Sequence, residues 1–147
     1  LPLAIAVVLA ETGAFTADLQ AKTLAFPDVR KQLRYYLTER IRRFREVAHL
    51  MRLSADGLQN LGASFEEATR KIREKEMAFL TDLVRKAALE SALAVQEPSA
   101  SLAEHIFLLS EAFKHNATQA AGPFGSGDID FEPAIAQVDY WVKILLR

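Results

Sequence analysis

Apolar residues recur along this chain at intervals of three and four, the period of an α-helix, and the alternation expected of β-strands is absent. The pattern divides into five segments. Leu1–Phe26 is apolar and alanine-rich, with Gly13 as the expected break and burial as the expected fate. The second segment opens at Pro27-Asp28, proline being suited to a first helical turn, and runs to Leu53. Its stripe is Val29, Leu33, Leu37, Phe44, Ala48 and Met51. Ser54–Gly57 punctuates, and a short helical turn is expected to carry Leu58 and Leu61. The third segment starts at the capping box Ser64-Phe-Glu-Glu67 and lines up Phe65, Ile72, Phe79, Leu80, Leu83 and Ala87 to about Glu90. A second capping box, Ser101-Leu-Ala-Glu104, opens the fourth. A loop over Ala121–Asp128 holds three of the six glycines, and Phe131–Arg147 closes the chain.

The two closing segments are apolar over more surface than one core needs. In Ser101–Ala121, Leu102, Ile106, Leu109, Phe113, Ala117 and Ala120 share one stripe, while Phe107 and Leu108 point elsewhere. In Phe131–Arg147, Phe131, Ala134, Ile135, Val138, Trp141, Val142, Leu145 and Leu146 share a face, with Tyr140 and Ile144 outside it. A helix apolar on two sides is either deep inside a large protein or shared with a partner. At 147 residues the second option is favoured. The expectation is an all-α protein of one domain over residues 1–147, an orthogonal or antiparallel bundle. Its closing helices pair with a second copy in a dimeric four-helix bundle, with Phe107, Leu108, Tyr140, Trp141 and Ile144 at the interface.

Composition narrows the function. A half-hydrophobic, quarter-charged chain reads as globular, and a net charge of −1 gives no pull toward nucleic acid or anionic membranes. No cysteine is present, which excludes thiolate chemistry and fits the cytoplasm. The opening LPLAIAVVLA is too short to span a bilayer and lacks the basic flank of a signal peptide. The first residue is Leu1, which points to a processed product or an excised piece.

Little in the chain suits catalysis. His49, His105 and His115 are scattered, and Glu46-Val-Ala-His49 has the spacing of a di-iron helix pair but no second copy. Glu111 and His115 lie a turn apart on the polar side, where solvation is expected. GPFGSG lacks a phosphate-loop ending and runs into Asp128 and Asp130. The basic run Arg30, Lys31, Arg34, Arg42, Arg45 and Arg52 reads as a solvated helix face. No metal site and no cofactor are expected. Two charges stand apart. Arg40 and Glu76 each interrupt an apolar stripe, and there they either reach water with long side chains or face inward. Inward, they pair or line a pocket with Tyr36, Phe79, His105 and Asn116.

The layout as a whole resembles the C-terminal effector-binding and dimerisation domain of TetR-type transcriptional regulators. The likeness covers Pro27 to Arg147 and lies in a Pro-Asp-x-x-Arg-x-x-Leu helix, the charged helix REKEMAFLTDLVRKAALE, the apolar helix SLAEHIFLLSEAF, a glycine-rich loop and a final VKILLR. It implies a non-enzymatic homodimer whose middle helices enclose a small-molecule effector. It also implies DNA binding through an N-terminal helix-turn-helix that Leu1–Phe26 does not contain, and no membrane partner. Two other readings stay open: an all-helical metal- or haem-binding enzyme, and a structural adaptor bundle without a ligand.

Overall fold

A computed structural model describes residues 3–53, 62–120 and 129–147, without the side chains of residues 4, 5, 47–53, 62–65 and 120. Five helices are present among them: α1 Leu3–Leu24, α2 Val29–Leu53, α3 Gly62–Leu89, α4 Ser99–Ala120 and α5 Glu132–Leu145. The fold is an all-α bundle. The Ser54–Gly57 turn, the short turn at Leu58–Leu61 and the Ala121–Asp128 loop lie outside the described residues, as do the side chains of Ser64 and His49.

Helix α2 is the hub and touches the other four. Asp28 caps it: its Oδ1 accepts the Arg30 N–H at 2.9 Å, satisfying one of the free donors of the first turn. From there Val29, Leu33, Tyr36, Leu37 and Ile41 run as one fully buried ridge. α3 meets that ridge with Leu80, Leu83, Val84 and Ala87, and α5 with Ala134, Ile135, Val138 and Val142.

Several boundaries differ from the sequence reading. α1 passes straight through Gly13, where an added Cβ would meet nothing within 4 Å. A helical glycine costs about 1 kcal/mol relative to alanine, and the packing of α1 on α2 and α3 outweighs that. α1 is also less buried than its apolarity suggests. Val8, Leu19 and Thr23 face inward, while Leu3, Val7 and Leu24 are exposed. α3 and α4 each begin two residues ahead of the serine of their capping box.

α3 ends in a left-handed cap. Ser91 holds φ 54°, Ala92 N–H donates to Ala87 O at 2.8 Å, and Ser91 N–H donates to Ala88 O at 3.1 Å. The segment after it is clasped to the far end of the chain. Ala94 N–H donates to Leu145 O at 2.7 Å, Arg147 N–H to Ala92 O at 2.8 Å, and Arg30 Nε to Arg147 O at 2.6 Å. The basic face of α2 is therefore not simply solvated. Arg34 also reaches Asp139 on α5 at 3.0 Å, so part of that face docks the last helix.

Candidate functional site

Arg40 sits midway along α2 where α3 and α4 converge on it. Its Nε donates to Glu76 Oε2 of α3, and its Nη2 donates to Glu111 Oε1 of α4 at 2.5 Å. Lys114 Nζ, one turn further along α4, donates to the same Glu111 oxygen at 2.9 Å. Each cation also lies over a ring: Arg40 at 4.5 Å from the Phe107 centroid, Lys114 at 4.0 Å from that of Phe44. Two cations and two carboxylates thus offset one another at a three-helix junction, where a lone charge would be costly to desolvate.

The electrostatics follow from that balance. Burial pushes the Arg40 guanidinium down, but Glu76 and Glu111 outweigh it and hold the group above its ordinary value. Burial alone raises the Glu111 carboxyl, yet Arg40 and Lys114 together bring it below the usual carboxylate value. Lys114 is lowered by burial and then by Arg40, with Glu111 recovering part of the loss. The Tyr36 phenol beside the cluster is pushed well up by burial and by the field of Glu76.

A cavity of about 230 Å³ opens against this cluster, walled by α1, α2, α3 and α4. α1 supplies Val8, Leu9, Phe15 and Leu19, and α3 supplies Ile72 opposite. Thr12 and Thr16 also face it, but their hydroxyls donate back to the Val8 and Thr12 carbonyls at 2.7 and 2.9 Å. The polar wall holds Arg40, Arg43, Arg73 and Lys114 against Glu76 and Glu111, four cations to two carboxylates. Arg43 is paired at the rim with Asp18, at 2.8 Å. Behind this wall the Tyr36 hydroxyl and Arg40 Nη1 are closed off from the cavity and have no hydrogen-bond partner among the described residues.

The structure therefore brings together Tyr36, Arg40 and Glu76. Phe79 lies next to them, its ring 4.9 Å from that of Tyr36, but is not part of the cavity wall. His105 and Asn116 do not join: both are exposed, and His105 faces Glu97 at 3.8 Å. The reason is the rotation of α4, whose buried side is Leu102, Ala103, Ile106, Phe107 and Ser110. That rotation also corrects the reading of Phe107, which lies inside its own chain beneath Arg40 and is not free for an interface. It turns Leu109 outward in exchange, next to Leu108, while α5 leaves Tyr140, Trp141 and Ile144 exposed.

Glu111 and Lys114 were missed, and with them the wall that α1 contributes. Their i, i+3 spacing was a visible signal, but a lone helical wheel put Glu111 on the polar side. Among the described residues no group of histidines and carboxylates is arranged to hold a metal ion, and no helix is long and apolar enough to cross a membrane. Compared with known proteins, the chain matches no family model, no curated protein and no solved structure.

Proposed function

We propose that this chain is the effector-binding and dimerisation domain of a TetR-like transcriptional regulator that works in the cytoplasm as a homodimer. The observation that carries the reading is the cavity between α1 and α4, with an apolar wall and a charged floor. An adaptor bundle has no use for such a space. α4 gives the reading its mechanism. One stretch of that helix holds Glu111 and Lys114 against the cavity, and the adjoining Leu108 and Leu109 are exposed. Tyr140, Trp141 and Ile144 of α5, a helix that packs against α4, are exposed as well, and these apolar side chains suit a two-fold partner. An effector that fits the cavity better in one position of α4 shifts the dimer between two arrangements, and DNA readers attached to the two chains change their separation.

Sedimentation equilibrium tests the interface. A dimer is expected at micromolar concentration, dissociating when Leu108→Glu and Trp141→Glu are combined. A wild-type monomer, or a dimer indifferent to both changes, refutes it. Gel shifts test the regulator. The full gene product is expected to bind duplex from upstream of its own gene selectively, whereas residues 1–147 alone do not. Selective binding by residues 1–147, or none by the full product, removes the assignment.

A further inference from the structure

The cavity offers a ligand apolar surface but no unanswered charge. Glu76 is engaged by Arg40, and Glu111 by Arg40 and Lys114. Arg43 is matched from outside the wall, by Asp18 at 2.8 Å and by Glu39 at 4.0 Å. Arg73, the remaining cation, is exposed to solvent. Once Asp18 and Glu39 are included, the four cations of the wall stand against four carboxylates. The neutral polar groups are spent as well. The hydroxyls of Thr12, Thr16 and Thr69 donate to carbonyls of their own helices, and the Tyr36 hydroxyl and Arg40 Nη1 are closed off behind the wall. An ionised ligand entering here gives up hydration and gains no partner that is not already taken. A hydrocarbon surface gives up nothing of the kind and is removed from water against Val8, Leu9, Phe15 and Ile72. The volume sets the size. An apolar protein cavity of about 150 Å³ takes up benzene. This one, at about 230 Å³, has room for one ring with a short chain.

We propose that this cavity binds an uncharged, largely hydrocarbon molecule, one ring with a short alkyl chain, gripped between α1 and α3 and held by no charged head. The inference rests on reading the cavity as the effector site and names the class of effector. α1 supplies most of the apolar wall, so a bound molecule fastens α1 to the faces of α2 and α3 on which it packs.

Amide chemical-shift titration of residues 1–147 with ethylbenzene, phenylacetate and benzylammonium, single rings of similar bulk, tests this. Ethylbenzene should bind saturably, one per chain, with Kd below roughly 1 mM and with shifts centred on α1 and α3. It should bind at least about tenfold more tightly than either ion. Raising salt from about 50 to about 500 mM should leave its affinity unchanged or slightly tighter, since no ion pair is made. Leu9→Trp and Ile72→Trp, which fill the cavity from opposite walls, should each abolish binding. Equal or tighter binding of phenylacetate or benzylammonium overturns the uncharged class. If a folded tryptophan variant blocks that ion too, the effector site stands and only the class falls. Shifts centred away from α1 and α3, or ethylbenzene bound as well by a folded tryptophan variant as by the parent, overturn the site. If none of the three binds, the proposal fails, and the sedimentation and gel-shift experiments judge the wider reading independently.

Discussion

Arg40 and Arg70 each keep the company of two glutamates, but in opposite surroundings. Arg70 bonds Glu67 and Glu74 of its own helix, three residues back and four ahead, and all three side chains are at least half exposed. Arg40 bonds Glu76 and Glu111 of two other helices, and its own side chain is 11% exposed. The Coulomb pairs are alike, and their consequences are not. At the surface, water competes for every partner and salt screens what remains, so such pairs contribute little. At the junction each charge has given up most of its hydration and depends on the others, so the set holds only while it is complete. The difference lies in where the partners are anchored. A triad within one helix forms whenever that helix does, while a triad across three helices forms only when the bundle has closed.

The largest effect should come from breaking the inner triad. Glu76→Ala leaves Arg40 with half its compensation and is expected to destabilise by about 3–5 kcal/mol in denaturant unfolding. Replacing both, as Arg40→Met with Glu76→Leu, should cost less than the sum of the two single changes, with a coupling of about 0.5–3 kcal/mol. Strict additivity would mean that the two groups act separately.

A smaller effect should appear in acid. The Glu111 carboxyl is held below its ordinary value of 4.5, so its contribution is complete above that value and is lost as pH falls through the lower, folded one. Glu111→Gln should therefore lower stability at neutral pH and flatten the decline in acid. A variant whose stability falls with pH as steeply as the parent's would remove Glu111 from the set. The smallest effect belongs to the outer triad. Arg70→Ala should leave the melting temperature unchanged within error at physiological salt, and a loss comparable to that of Glu76→Ala would erase the distinction.

How far the chain could be read follows the same division. The all-α fold was legible because Val29, Leu33 and Leu37, or Leu80, Leu83 and Ala87, repeat within one helix, and a wheel needs nothing more. Arg40 and Glu76 stood out for the same reason, as charges inside those stripes. Glu111 did not, because what partly buries it is the approach of a second helix, and no wheel drawn on α4 contains that. The exchange of Phe107 for Leu109 has one cause with this. α4 is turned so that the Phe107 ring lies against Arg40 and Leu109 faces outward. Gly13 misled in the opposite sense: local propensity marked a break, and packing on two neighbours carried α1 through it.

The clasp between residues 92–94 and 145–147 has a consequence for the order of events during synthesis. Arg30 meets Arg147 across 117 positions and Arg34 meets Asp139 across 105, so the side of α2 that α5 covers waits for nearly the whole described chain to be made. Until then the nascent bundle leaves uncovered the apolar strip that α5 later covers. Closing so long a loop is a slow, entropically uphill search. The two short backbone hydrogen bonds at the clasp, Ala94 to Leu145 and Arg147 to Ala92, are the point at which that search ends.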